Sequence, residues 1–284
     1  MADSQPVIRH ISDTARWAAL YRARETEHPD AIFRDPYARR LAGPDSEQIA
    51  QAMPFHEKNA WSWTTRTWLF DHFIRRQIEQ GADLVVNLAA GLDARPYRMP
   101  LPPSLTWIEV DLPDILDYKE EILRDEKPAC HLERVRMDLA DTTARSALLA
   151  ALRERGKRGL VISEGLLIYF TAGQVARLAV DLRQAGNLQY WIIDVVSPGL
   201  LRMIQKHTHN QFGKEVTPLQ FAPHDGPMFY QRNGWSPVEV RSMLKTAAGL
   251  KRLPFFLKLF SFLPENPARM GSRPWSAVCL LQRQ

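Results

Sequence analysis

Short apolar runs recur through the middle of the chain at 84–89, 106–110, 132–137, 160–163 and 190–196. Short, largely apolar runs are what strands buried on both faces of a parallel sheet require. Between them, residues 112–125, 143–155 and 171–185 carry helical spacing. This alternation predicts crossover units, and hence a doubly wound, Rossmann-like α/β sheet with helices on both faces. The tail at 275–281 again reads as a strand, whereas 197–274 is punctuated by proline and yields no clear element.

The first eighty residues have a different texture. A helix is expected over 12–27, where Ala15, Ala18, Ala19 and Ala23 supply propensity and Ser12 or Asp13 can cap the start. Pro36 breaks it, because the residue before a proline disfavours the α conformation. A short helix at 37–41 ends at Gly43-Pro44, and a long one at 61–80 is closed by Gly81. The expected organisation is a helical cap over 1–80 and an α/β core over 81–284. An insertion around 197–274 would close over a substrate.

Composition narrows the classes. Hydrophobic residues form 45% and charged residues 24% of the chain, an ordinary globular balance that excludes long disorder. The longest apolar run falls short of a membrane span, and the first ten residues carry no secretion-type apolar segment. A cytoplasmic protein without a membrane partner is therefore expected. Cys130 and Cys279 lie far apart and outside any CxxC pair, which excludes a disulfide framework and a thiolate zinc site, and no metal is expected. The net charge of +5 is spread among acids, as at 22–27 and 119–127, so a nucleic-acid partner is not expected. Attraction for small anions is the simpler use of that charge.

Four strand ends carry candidate chemistry. Residues 86–95 read VNLAAGLDAR, a turn of small residues in which Ala89 and Gly91 would let the backbone approach a ligand. With Gly91 its sole glycine, the turn is not a GxGxxG phosphate loop, and tight packing explains the small residues equally well. Asp111 follows the next strand about 20 residues on, where an acid accepts hydrogen bonds from a ribose; capping the following helix is compatible with that role. Glu109 ranks below it as a strand-face charge. At the third strand end Asp138 could bond an adenine amino group while Leu139 packs on the ring, or the acid could serve as a local cap. Glu164 interrupts the apolar run at the fourth strand end, a costly burial without a partner. Together the four ends define one crevice for an adenosine-containing ligand.

The stretch VVNLAAGLDARPYRM at 85–99 resembles the VVNLGAGLDTRxxRL signature of the leucine carboxyl methyltransferase-like family. Residues 13–43, the WIEVDLP stretch at 107–113 and SEGLLIYF at 163–170 are similar to the same family, and the likeness covers about residues 12–200. Bacterial polyketide carboxyl O-methyltransferases are the relatives it most resembles. The resemblance implies a class I methyltransferase fold with S-adenosyl-L-methionine as methyl donor. It further implies Arg66 on the methionine carboxylate, Gly91 beside the donor and Asp111 on the ribose. Asp138 and Leu139 would surround adenine, Glu164 would lie near the donor's amino group, and Tyr169 would border the transfer centre. Arg16 in the cap would hold a substrate carboxylate. The family's first loop glycine is Ala89 here, which would strain the backbone if that position needs φ > 0.

The expected activity is methylation of a carboxylate on a small molecule, such as a polyketide or other secondary metabolite. A carboxylate is already ionised at neutral pH, whereas a phenol or alcohol needs a base, and none of His56, His72, His207 and His224 lies in a motif that points to that role. A hydroxyl O-methyltransferase acting on a small aromatic acceptor stays open, as does a non-catalytic nucleoside-binding protein. Asp93 and Arg95 are expected to brace the loop internally, and Trp61, Trp63 and Trp68 to pack the cap.

Overall fold

The computed structural model describes residues 11–51, 56–208, 218–269 and 271–284. The chain opens with helices α1 (Ile11–Glu27), α2 (Ala38–Ala42), α3 (Ser46–Gln51) and α4 (His56–Glu79). The alternating part follows: β1 (Leu84–Leu88), α5 (Arg95–Arg98), β2 (Thr106–Asp111), α6 (Pro113–Ile122), β3 (His131–Arg136), α7 (Thr142–Leu152) and β4 (Gly159–Ser163). A 3-10 turn at Leu167–Tyr169 leads to α8 (Ala172–Gln184) and β5 (Leu188–Val196). The remainder holds α9 (Pro198–Thr208), α10 (Met228–Gln231), β6 (Trp235–Ser242), α11 (Met243–Gly249), a 3-10 helix at Phe255–Phe262, a 3-10 turn at Pro267–Arg269 and β7 (Ser276–Arg283).

The seven strands form one sheet in the order β3-β2-β1-β4-β5-β7-β6. β1 to β5 are mutually parallel, and β7 enters antiparallel between β5 and β6. Every residue of β1 is buried, as a central strand covered on both faces must be. Its pleat sends Leu84, Val86 and Leu88 into one core with Leu178 and Leu182 of α8, and Val85 into another with Phe70 and Phe73 of α4. The expected helix at 61–80 is thus more than cap, since its aromatic face floors one side of the sheet.

That helix ends as Gly81 predicts. Gly81 N–H donates to Ile78 O at 2.9 Å and Ala82 N–H to Gln77 O at 2.9 Å, with Gly81 at φ +95°. This is a Schellman stop, which only a residue tolerant of left-handed φ closes cheaply. The strand that sequence reading missed is β6. Its Pro237 lies next to a register shift at 237/239, and proline in a strand is confined to edges and bulges. β6 is indeed the outer strand.

Directly after β1, Ala89 adopts φ +54° and Gly91 φ +50°. A left-handed alanine costs roughly 1–2 kcal/mol, and the extra backbone entropy of glycine takes back about 0.5–1 kcal/mol of any relief. Ala89→Gly is therefore expected to raise the free energy of unfolding by about 0.5–1 kcal/mol in urea denaturation. An unchanged or lower value would mean that the alanine methyl, which packs at the edge of the core, outweighs the strain.

Candidate active site

A cavity of about 1880 Å³ opens above the C-terminal ends of β1, β2, β4 and β5, where ligands bind in open α/β sheets. A pocket for one small molecule commonly measures about 300–1,000 Å³, so this one has room for two. Ala89, Gly91, Asp111, Asp138, Leu139, Glu164 and Tyr169 all line it, and Arg66 reaches in from α4. α1 closes the other side, with Ala15 Cβ only 3.5 Å from where a Cβ on Gly91 would stand.

Arg16 is the exception. It is absent from the cavity wall; its guanidinium stacks over Tyr118 at 4.3 Å, beside Gly43. The reason is helical phase. At about 100° per residue, Thr14, Ala15, Trp17, Ala18 and Arg22 share the face of α1 that meets the cavity, and Arg16 points roughly opposite. The expected hold of Arg16 on a substrate carboxylate finds no support in this placement.

The β2 tip is built around Asp111. Its Oδ2 accepts from Gly91 N–H at 2.6 Å and its Oδ1 from Leu112 N–H at 2.7 Å. One carboxylate thereby ties the small-residue loop to the β2 end and keeps lone pairs for a ligand hydroxyl. Burial pushes its pKa up, against the pull of those two N–H groups. Asp138 is exposed, its Oδ1 accepting from Ala140 N–H at 2.8 Å, and Leu139 is buried beside it. Both the capping and the ligand-facing readings of these residues are compatible with the geometry. Glu109 is wholly buried, held by Lys119 Nζ at 2.6 Å and Arg134 Nε at 3.1 Å.

Beneath the cavity runs a chain of ion pairs. Arg66 Nε donates to Glu164 Oε1 at 3.1 Å, while Arg95 Nη1 lies 2.9 Å from Glu164 Oε2 and 2.8 Å from Asp93 Oδ2. Arg95 Nε donates to Asp71 Oδ1 at 2.6 Å, and Arg98 grips both oxygens of Asp71 at 2.7 Å. Arg98 Nε lies 3.7 Å from Asp35, which also accepts from Arg22 Nε at 2.8 Å. At the other end Arg66 Nη1 lies 3.4 Å from Asp194, whose second oxygen accepts from Gly165 N–H at 2.8 Å. Four arginines face five carboxylates, so the fully ionised chain carries one surplus negative charge beneath the cavity.

Asp194 and Asp71 were not found from sequence. Asp194 had a signal, an acid in the apolar run YWIIDVV that ends β5. Asp71 had none, because one acid on a long helix looks like a solvated face. The expected internal pair of Asp93 and Arg95 is present. Of the tryptophans, Trp61 and Trp63 line the cavity, Trp63 stacks on Tyr21 at 5.5 Å, and Trp68 stacks on His72 at 5.4 Å. Tyr169 hydrogen-bonds Thr14 of α1 through its side chain, and burial raises its pKa. Among the described residues, His207 is the histidine that lines the cavity, and no group of three or more His, Cys, Asp or Glu could hold a metal ion.

A seven-stranded sheet in this order, with acids and small residues at its strand tips, is the class I methyltransferase fold. A solved structure from Thermobifida fusca, titled as a proposed methyltransferase, shares it at TM-score 0.55 and 15% identity, covering 98% of this chain and 96% of that one. A DUF574 family protein from Streptomyces avermitilis shares it at TM-score 0.54 and 10% identity, covering 94% of this chain and 97% of that one. At such identities the likeness is one of fold. Residues 15–182 match the family described as leucine carboxyl methyltransferase, and the chain belongs to that family. Proteins of Mycobacterium bovis and Mycobacterium sp. strain KMS, both named as proposed S-adenosyl-L-methionine-dependent methyltransferases, are 34% identical over 194 and 186 residues. These matches cover 62% and 60% of this chain and 63% and 62% of theirs, a little under two thirds of the relatives' length.

The ion-pair chain has a pH consequence. Burial alone would raise the pKa of Asp93 and Asp71, but Arg95 and Arg98, joined at Asp93 by Lys119 and Arg22, outweigh it and hold both below the ordinary value. A carboxylate whose folded pKa is depressed contributes stability above its unfolded pKa of about 3.9 and loses it as pH falls toward the folded value. Glu109 and Asp194, raised by burial, act the other way at higher pH. The urea midpoint is expected to drop steeply below about pH 4. Asp93→Asn should flatten that acid limb and cost about 3 kcal/mol at pH 7 by leaving Arg95 short of a partner; an equally steep limb in the variant would exclude Asp93 as its source.

Proposed function

We propose that this chain binds S-adenosyl-L-methionine and methylates the carboxylate of a small molecule, such as a polyketide or other secondary metabolite. The observation that carries the reading is the convergence of Gly91, Asp111, Leu139 and Glu164 on one cavity with surplus negative charge beneath it. The donor carries a sulfonium, an ammonium and a carboxylate, a net charge of +1 that this surplus complements, and when bound it supplies an electrophilic methyl group.

The residues then divide the work. Asp111 accepts from the ribose hydroxyls, and Leu139 packs against adenine with Asp138 at its rim. Glu164 faces the ammonium. Arg66 spends Nε and Nη1 on Glu164 and Asp194, leaving Nη2 for the methionine carboxylate, where a charge-assisted bond is strong. Tyr169, braced on Thr14, borders the transfer centre and keeps its proton at neutral pH. Methyl transfer is an in-line displacement, for which alignment of acceptor and donor matters most. A carboxylate acceptor needs no proton removed, and on the acceptor side Arg273 lines the cavity and can orient it. The hydroxyl-acceptor alternative would draw on His207, which lines the cavity, and turnover of a phenol that is lost in His207→Ala would favour it.

Calorimetry should detect S-adenosylhomocysteine binding and none of NAD. Asp111→Ala is expected to weaken the S-adenosylhomocysteine affinity by about 1–3 kcal/mol, the cost of a lost buried hydrogen bond. NAD binding, or an affinity unchanged in the variant, would contradict the assignment. Tight donor binding with no turnover of any acceptor, carboxylic acid or hydroxyl compound, would leave the non-catalytic reading in its place.

A further inference from the structure

The 3-10 helix at Phe255–Phe262 is unusual in what it leaves in solvent. Phe255 is 85%, Leu259 75% and Phe262 83% exposed, and Phe256, Phe260 and Leu263 are each at least half exposed. Large apolar side chains scattered singly on a surface need no explanation, but a contiguous cluster marks an interaction site. A 3-10 helix has three residues per turn. Leu257, Phe260 and Leu263, spaced by three, accordingly line the cavity together with Phe256, while Phe255, Leu259 and Phe262 point away from it. One short element is therefore both cavity wall and protruding rim.

The charge of the segment that carries this rim is one-sided. Between residues 243 and 275 the chain carries Lys245, Lys251, Arg252, Lys258, Arg269 and Arg273 against a single acid, Glu265. Arg252 is committed to Glu25 at 2.9 Å. Lys258 stands among the exposed aromatics with its ammonium 5.7 Å from the Phe255 ring centre. Among the described residues no carboxylate pairs with Lys245, Lys251, Lys258, Arg269 or Arg273. Exposed phenylalanine and leucine beside Lys258, in a segment whose other charges are nearly all cations, is the chemistry that seats an element in the headgroup region of an anionic bilayer.

We infer that the 255–263 rim docks this protein on an anionic lipid surface, with the mouth of the cavity turned toward the bilayer. A second copy of the chain fits the rim less well, because a twofold contact would oppose the same cations to one another. The sequence-based expectation of no membrane partner rested on the lack of a spanning segment. Among the described residues no helix is long and apolar enough to cross, yet lying on a membrane needs none. The inference does not depend on the methyl-transfer reading.

Flotation of the full chain with vesicles tests it. The protein should float with vesicles of phosphatidylcholine mixed with phosphatidylglycerol, float weakly with phosphatidylcholine alone, and detach as salt is raised. The double variant Phe255→Ser/Phe262→Ser should bind the anionic vesicles about tenfold more weakly or worse. Its thermal unfolding should be unchanged, since both side chains lie in solvent. No flotation with anionic vesicles, or flotation equal in the variant, would overturn the inference. So would a dimer in solution that the double variant dissociates, for the rim would then be covered by a second copy.

Discussion

Arg95 is the point on which the site's architecture rests. Its side chain is 3% exposed and joins Asp93 of its own loop, Asp71 of α4 and Glu164 beyond β4. Removing such an ion from water is expensive, and the cost is met only when its partners are held in place from several directions. The guanidinium therefore couples the loop after β1, the helix that floors the sheet and the β4 tip into one unit. Arg66 and Asp194 extend that unit to β5, and Arg98, Asp35 and Arg22 extend it into the cap. The cavity inherits its shape and its negative floor from this chain of pairs.

Much of the architecture was legible because burial on both faces leaves a strand little freedom of composition. β1, β2, β4 and β5 read directly from their apolar runs, and the glycine stop after α4 read from its conformational requirement. β3 is half-exposed and charged, so the apolar run expected at 132–137 is correct in place, within one residue of the strand's bounds, and wrong in its burial on both faces. β6 escaped because Pro237 argues against a strand unless its edge position is already known. α4 packs both on α1 and on the sheet, so it joins the expected cap to the core.

The site was legible where chemistry breaks a local rule. Glu164 and Asp111 stood out as acids at the ends of apolar strands, and both line the cavity. Asp194 offered the same signal and was overlooked beside the stronger motif at 163–170. Arg16 shows what motif position leaves out. Neighbouring residues of a helix differ by about 100° in direction, so Ala15 and Trp17 face the cavity while Arg16 packs between Tyr118 and Gly43. Asp71 and Asp35 are tied to the cavity floor through Arg95 and Arg98, a relation that spacing along the chain cannot carry.

The strand order has a consequence for biosynthesis. β7 is made after β1 to β6, yet it sits between β5 and β6 and forms the pairs that join them. Until it leaves the ribosome, β5 presents an unpaired edge bearing Trp191, Ile192 and Ile193, all of which are buried in the finished sheet. An open apolar edge of this kind recruits neighbouring chains as readily as its proper partner. A chain folding as it is made thus keeps this edge open until β7 is in place, and the pairing of β7 with β5 is what closes it.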